Sequence, residues 1–135
     1  MNNIKTVCFI GSGTMGCYNS LIAALAGYKV IIYDINQENL KQVNNRHQEF
    51  SSILEANGYF TAQQILAGLS KISCTATLDL AIKNADLVSE SIFENINLKR
   101  KVHRQLDQLC PSHTILTTNS SSLLVSEIED VVERG

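Results

Sequence analysis

The sequence predicts an α/β fold with a doubly wound, mostly parallel sheet and a helical arm after the second strand. Short apolar runs alternate with segments of helical periodicity along all 135 residues. The runs are almost wholly apolar, as expected for strands that are covered on both faces. The first run also breaks directly into a glycine-rich turn, Gly11–Gly16. This length fits one domain, residues 1–135, without a linker or internal repeat.

Capping residues, glycine and proline in the sequence predict where the helices begin and end. Gly27 ends the first helix, Asn36 is a candidate N-cap, and Thr61 with Gln64 forms a capping-box pattern. Pro111 follows the end of the fifth helix. The predicted strands are 5–10, 30–33, 72–75, 86–90 and 115–118, and the predicted helices are 13–26, 36–55, 61–69, 78–83, 97–109 and 125–132.

The fifth helix is predicted to have one apolar side, formed by Leu98, Val102, Leu106 and Leu109. The long polar second helix is either an arm lying partly off the core or a helix with one solvated face.

Composition narrows the class of protein. Apolar residues make up 44% of the chain, enough for a core, and the net charge of −2 gives no electrostatic case for binding nucleic acid or an anionic membrane. No membrane span or targeting segment is recognisable, so we expect a soluble, cytoplasmic protein. The cysteines are widely spaced and predict reduced thiols without a zinc site or other metal site: Cys8, Cys17, Cys74 and Cys110. Cys17 stands at the start of a helix, which lowers a thiol pKa, but a packed, inert thiol is favoured.

The glycine turn predicts a dinucleotide site of the Rossmann type. In a GxGxxG turn the first glycine allows the tight turn, the second lets a pyrophosphate approach the backbone, and the third lets the helix pack on the sheet. The free N–H groups of that helix then bind the phosphates. Asp34 ends the second apolar run, 18 positions after Gly16, where a carboxylate is expected to bind the adenosine ribose. The cofactor-binding residues predicted on the turn are Gly11, Ser12, Gly13, Thr14, Met15 and Gly16.

Asp34 also predicts the choice of cofactor. A carboxylate binds the 2′-hydroxyl of NAD and repels the 2′-phosphate of NADP. The next basic residue is Lys41, and no arginine follows Asp34 closely. NAD is therefore the predicted cofactor. The ends of the fourth and fifth predicted strands, beyond Glu90 and at Asn119–Ser122, should complete the site at the same edge of the sheet.

Three segments resemble the 3-hydroxyacyl-CoA dehydrogenase family, nearest to 3-hydroxybutyryl-CoA dehydrogenases. The glycine turn is similar to that family's GxGxMG turn. Residues 85–95 followed by 98–102 resemble its ADLVxEA-(V/I)-x-E-(D/N) and LK(R/K)KV segments. Residues 119–123 resemble its NTSSL motif. The departures are mild: Ser120 stands where the family has Thr, Ser91 where it has a small apolar residue, and Thr118 where it has Ser.

The resemblance implies an oxidoreductase of fatty acid metabolism and β-oxidation that interconverts 3-hydroxyacyl-CoA and 3-ketoacyl-CoA. It implies that Glu94 and Lys99 reach the nicotinamide half of NAD and that Ser121 is the catalytic hydroxyl, also contacting the cofactor, with Asn119 shaping the pocket. Taken without the motif, Glu94 and Lys99 would be a solvated loop acid and a solvated helix lysine. Ser121 would belong to a serine-rich turn that caps the last helix. No CoA-binding residue is assigned, because the arm matches the family poorly.

One family feature is missing from the sequence. The family's general base is a histidine in an LHFFNP-like segment, which we do not find here, nor the helical domain that closes the substrate cleft and mediates dimerisation. His47, His103 and His113 are interpreted as surface or packing residues. We therefore expect the cofactor domain of such an enzyme, homodimeric and acting on an acyl-CoA when complete, and inactive by itself. The alternatives are a stand-alone, non-catalytic NAD-binding module and the cofactor domain of a related sugar-acid dehydrogenase or lens crystallin.

Overall fold

A computed structural model describes residues 3–120 and 123–134, and it confirms the predicted fold class. The strands are β1 (Thr6–Ile10), β2 (Lys29–Tyr33), β3 (Ile72–Thr75), β4 (Leu87–Glu90) and β5 (Ile115–Thr118). The helices are α1 (Thr14–Leu25), α2 (Gln37–Ala56), α3 (Ala62–Leu69), α4 (Leu78–Ile82) and α5 (Ile96–Leu109). The five strands are parallel and lie in the order β3-β2-β1-β4-β5. The chain thus winds outward from β1 to β3, crosses back, and continues from β4 to β5.

Each face of the sheet has its own apolar core. Alternate residues of β1 point to opposite faces, so Val7 and Phe9 pack with α1 and α2, whereas Cys8 and Ile10 pack with α4 and α5. The first core adds Cys17, Ala24, Val30, Ile32 and Val43, and the second adds Ala81, Ile82, Ala85, Val88, Leu106 and Cys110. This covering of both faces is what makes the strand sequences continuously apolar.

The predicted end of α1 and the predicted starts of α2 and α3 are confirmed by their caps. Gly27 has φ +104° after α1, a conformation that favours glycine. The Asn36 side chain accepts a hydrogen bond from the Glu38 amide, and Thr61 and Gln64 form the reciprocal capping box of α3. Local sequence chemistry therefore determines where these elements begin and end.

The helices after β2 pack against α1 instead of standing away from the core. Val43, His47, Ser51 and Leu54 of α2 are buried, while most of the rest of that helix is exposed. On α3, a Cβ at Gly68 would lie 2.8 Å from a Leu25 side-chain atom, which shows how closely α3 approaches α1. The polar character of α2 thus reflects a solvated face.

The prediction of a last helix over 125–132 is wrong. Two 3₁₀ turns, Val125–Glu127 and Glu129–Val131, stand there. The amides of Glu127 and Val131 bond to carbonyls three residues back. The guanidinium of Arg100 donates to the Glu127 carbonyl at 2.6 Å, and it also pairs with Asp130. A carbonyl needed by an α-helix is therefore diverted to a side chain of α5.

The apolar side predicted for α5 is also displaced. Leu98 and Leu109 are exposed, whereas the buried positions of the helix are Lys99, His103 and Leu106, followed by Cys110 after its end. The helix is rotated from the expected orientation because two of its polar side chains bind an acidic group beneath the helix.

Arg134 connects the last described residues to the carboxyl end of α5. Its guanidinium pairs with the Asp107 carboxylate at 2.6 Å and donates to the carbonyls of Pro111, at 2.8 Å, and Thr114, at 3.2 Å. It also donates to the carbonyls of Asp107 and Cys110. A distant side chain therefore satisfies carbonyls that a helix end leaves without partners.

Candidate functional site

The candidate site lies at the carboxyl ends of β1 and β4, the two neighbouring strands between which the strand order of the sheet reverses. Gly11 has φ +103°, and a Cβ there would be 2.6 Å from the Ser91 carbonyl oxygen. A Cβ on Gly16 would overlap the Gly11 carbonyl oxygen. Both glycines are therefore required by close backbone contacts among the turn, α1 and the loop after β4, as the sequence predicts.

The amino end of α1 presents backbone amides to the same edge of the sheet. Gly13 is the N-cap residue, and α1 has no side-chain cap, unlike α2 and α3. Gly13, Thr14 and Met15 are exposed, and nothing lies within 4 Å of a Cβ built on Gly13. The missing side chain leaves the space through which an anionic group can approach the first-turn amides.

Ser12 is buried and donates hydrogen bonds to the carboxylate of Asp34. Its backbone N–H and its hydroxyl both donate to Asp34 Oδ2, at 3.0 and 2.8 Å. The Asn36 amide donates to Oδ1 at 2.9 Å, and the Asn39 side chain donates to Oδ2 at 3.3 Å. Oδ1 has one of these partners and Oδ2 has three. The carboxylate is thus held beside the turn with accepting capacity remaining on Oδ1.

Arg46 reaches this turn although sequence reasoning did not assign it a role. Its Nη1 donates to the Ser12 carbonyl oxygen at 3.1 Å from α2, 12 positions after Asp34. Lys41, the basic residue considered first, instead pairs with Glu38 in solvent. The signal that could have revealed Arg46 is its position beside the buried His47, which places it next to the face that packs on α1.

Cys17 matches the interpretation of a packed thiol. It is fully buried, and its Sγ donates to the Ser12 carbonyl at 3.2 Å. Burial raises the pKa of the Cys17 thiol, and the nearby Arg46 opposes that effect only partly. The thiol therefore supports the turn.

A buried charged cluster lies under the other half of the site. We define the Glu90 cluster as Glu90, Lys99, His103 and Thr118. Glu90 and Lys99 are both 0% exposed, and Lys99 Nζ is 2.8 Å from Glu90 Oε2. Thr118 Oγ1 donates to Glu90 Oε1 at 2.7 Å, and His103 Nε2 lies 3.1 Å from the same oxygen. The cluster joins β4, β5 and α5.

The pKa of Glu90 reflects these contacts. Burial by itself raises the pKa of this carboxyl group. The hydrogen bonds that Glu90 accepts outweigh burial and lower its pKa; they come from His103, Lys99, Thr118 and the Ile92 amide. Glu90 is therefore held as a buried carboxylate.

Lys99 is not the solvated lysine that the sequence suggests when read without its motif. Its Nζ lies 3.3 Å from Glu94 Oε1 and 3.4 Å from the Asn119 carbonyl oxygen. Glu94 is 31% exposed and accepts a hydrogen bond from Ser120 Oγ at 2.7 Å. The structure thus brings Glu94, Lys99 and Asn119 together at one edge, with Glu94 and Asn119 reaching the surface and Lys99, which was expected to reach the nicotinamide half, fully buried beneath them. Ser121, the predicted catalytic hydroxyl, lies outside the described residues.

His47 and His113 fit the interpretation as packing or surface residues, whereas His103 is buried against Glu90 in the Glu90 cluster. His47 is buried, and its Nε2 lies 3.1 Å from the Cys17 carbonyl and 3.2 Å from Ser20 Oγ. Desolvation lowers the pKa of His47, so its neutral form is favoured. His113 is largely exposed at the opposite edge of the sheet, 2.9 Å from Asp86.

Two further observations concern ligands and membranes. Within residues 3–120 and 123–134, no group of three or more His, Cys, Asp and Glu side chains is arranged to hold a metal ion. The helices of the described chain include none long and apolar enough to cross a bilayer.

These features define a doubly wound dinucleotide-binding domain. Residues 6–135 match the family described as "3-hydroxyacyl-CoA dehydrogenase, NAD binding domain", and the chain belongs to that family. NAD is the cofactor of this domain class. The structure fits it, because Gly13 leaves room for the pyrophosphate and Asp34 stands beside the turn.

Individual relatives agree with this assignment. The chain is 36% identical over 131 residues to a probable 3-hydroxybutyryl-CoA dehydrogenase of Bacillus subtilis, covering 97% of this chain and 45% of the relative. It is 36% identical to the 3-hydroxyadipyl-CoA dehydrogenase of Escherichia coli, covering 95% of this chain and 27% of the relative. The crystal structure of 3-hydroxybutyryl-CoA dehydrogenase from Escherichia coli has a TM-score of 0.90 at 32% identity, covering 98% of this chain and 28% of that one. The chain thus spans less than half the length of these relatives.

Proposed function

We propose that this chain is the cofactor-binding part of an oxidoreductase that interconverts a 3-hydroxyacyl-CoA and a 3-ketoacyl-CoA. The observation that carries the proposal is the uncapped amino end of α1 beside the fixed carboxylate of Asp34. The amides of the first turn bind the pyrophosphate, and Asp34 Oδ1 accepts a hydrogen bond from the adenosine ribose. NAD, when bound, supplies the hydride acceptor of the reaction.

The second half of the site serves the nicotinamide end. In this proposal Glu94 contacts the nicotinamide half directly, and Lys99 holds Glu94 and the Asn119 backbone in place from below. Ser121 then lies two positions beyond Asn119 and supplies the hydroxyl near the reacting carbon. The names of the Bacillus subtilis and Escherichia coli relatives support an acyl-CoA substrate.

The wider context is part of the same proposal. The reaction belongs to β-oxidation of fatty acids, and the complete enzyme is a cytoplasmic homodimer. A non-catalytic module with the same NAD site would bind cofactor equally well. Both alternatives predict negligible turnover of acetoacetyl-CoA with NADH by residues 1–135 alone, and robust turnover would contradict both because it would require a general base among these residues.

Titration of NADH fluorescence tests the site directly. Gly13 has φ −68° and ψ −172°, an extended conformation that any residue adopts, and a Cβ there meets no atom within 4 Å. Gly13→Val should therefore fold normally but block the approach of the pyrophosphate. We expect saturable NADH binding by the unaltered chain, weaker binding by Gly13→Ala and none by Gly13→Val, with Tm values lowered by only a few degrees because Ala and Val are poorer N-cap residues than Gly. Absence of NADH binding at millimolar concentration by the unaltered chain, or full binding by Gly13→Val, would refute the proposed site.

A further inference from the structure

A titratable side chain lies behind the proposed nicotinamide position. His103 follows Lys99 by four residues on α5, so both side chains face Glu90 from one side of the helix. Contacts then run without interruption from His103 Nε2 to Glu90 at 3.1 Å, from Glu90 to Lys99 at 2.8 Å, and from Lys99 to Glu94 at 3.3 Å. Three of these four side chains are almost fully buried, and Glu94 reaches the surface.

The formal charges of this chain of contacts do not cancel when His103 is neutral. Glu90 and Glu94 carry two negative charges against the one positive charge of Lys99, which leaves a net charge of minus one. Protonation of His103 removes that excess. In a buried environment such a change is poorly screened by water and acts over about 10 Å.

The elements packed against His103 also place charged and polar side chains near it. His103 lines a cavity of about 420 Å³ between α5, β5 and the 3₁₀ turns, whose charged residues are Glu129 and Arg134. Arg134 is paired with Asp107 at 2.6 Å. From β5 comes Thr118, whose hydroxyl donates to the oxygen of Glu90 that faces His103.

We propose that His103 sets the net charge beneath the nicotinamide position and thereby biases the domain between the oxidised and the reduced cofactor. The inference rests on the proposed NAD site. The nicotinamide ring of NAD⁺ is positively charged and that of NADH is neutral. With His103 neutral, the net negative charge favours NAD⁺ over NADH; with His103 protonated, that electrostatic preference disappears. His103 acts through Glu90 and Lys99, so it is a positioning residue and not a catalytic one.

Equilibrium binding of NAD⁺ and of NADH to the 135-residue chain, compared across about pH 5.5 to 8.5, tests this proposal. The ratio Kd(NADH)/Kd(NAD⁺) should rise with pH by about three- to tenfold, as expected for one charge at roughly 10 Å in an effective dielectric of about 20–40 with salt screening. His103→Gln keeps an N–H donor for Glu90 but cannot titrate, so its ratio should not change with pH. His103→Leu, which removes the polar group, should give the same flat profile.

His113→Gln is the matched control. His113 also pairs with a carboxylate, Asp86 at 2.9 Å, but at the amino edge of the sheet. This variant should keep the pH dependence of the unaltered chain. A pH-independent ratio in the unaltered chain, or an unchanged slope in His103→Gln, would overturn the inference while leaving the NAD site intact. Failure to bind either form of the cofactor would overturn the proposed site and this inference together.

Discussion

Replacing Lys99 with methionine should destabilise the chain strongly, because it leaves the Glu90 carboxylate buried without its ammonium partner. Both side chains are 0% exposed and lie 2.8 Å apart. Removing one member of a buried ion pair costs about 3–5 kcal/mol. Glu90 keeps its contacts with His103, Thr118 and the Ile92 amide, so we expect the lower end, about 3 kcal/mol. This is a large part of the total stability of an ordinary domain, about 5–15 kcal/mol.

Urea denaturation followed by far-UV circular dichroism measures this loss. At a slope of about 1.5 kcal/mol/M, the midpoint should fall by roughly 2 M. Lys41→Met is the matched control, since Lys41 pairs with Glu38 at 2.7 Å but the two side chains are 67% and 75% exposed. That variant should lose less than about 0.5 kcal/mol. Equal effects of the two substitutions, or a loss below about 1 kcal/mol in Lys99→Met, would refute the reasoning.

Three further predictions follow from the same contacts. Asp34→Ala should weaken the binding of NAD more than that of NADP in calorimetric titrations, and equal losses would remove Asp34 from the ribose site. Gly16→Ala should lower the free energy of unfolding by about 1–3 kcal/mol in urea, since its Cβ overlaps the Gly11 carbonyl, and an unchanged midpoint would contradict that packing. The Lys5 amide is the first of several donors that lower the pKa of Asp86. Asp86→Asn should therefore cost about 1–2 kcal/mol at neutral pH. The difference from the unaltered chain should shrink as pH falls below about 4, where unfolded Asp86 becomes protonated, and should disappear only below the lowered pKa of folded Asp86; a constant difference across pH would contradict this linkage.

The sequence predicts the alternation of elements well because the determining signals are local. Strand runs covered on both faces, the glycine after α1 and the caps at Asn36 and Thr61 each act within a few residues. The glycine turn is predictable for the same reason, since Gly11 and Gly16 each meet a close backbone contact and Gly13 leaves open space at the start of α1. The ribose-binding role predicted for Asp34 follows from its place at the end of β2.

What the sequence did not predict depends on contacts between distant residues. The apolar pattern of α5 favours Leu98, yet Lys99 is buried because Glu90 lies beneath it. The segment after residue 124 has helical spacing, but Arg100 takes a carbonyl from it and leaves 3₁₀ turns. Arg46 likewise reaches the turn from another helix. Charged side chains that fold back on the core are the common cause of these differences.

The contacts of Arg134 have a consequence for how the molecule opens. The guanidinium of Arg134 hydrogen-bonds to carbonyls near the end of α5, as far as 27 positions earlier in the chain. Those carbonyls lose this partner when the segment around Arg134 separates from α5. Because α5 also carries Lys99 and His103, detachment would loosen the helix that holds the Glu90 cluster. Amides of the last turn of α5 and of the 3₁₀ turns should therefore exchange with deuterium at a common rate, as one cooperative opening unit. The packing around the proposed nicotinamide position is thus tied to a segment that does not line it.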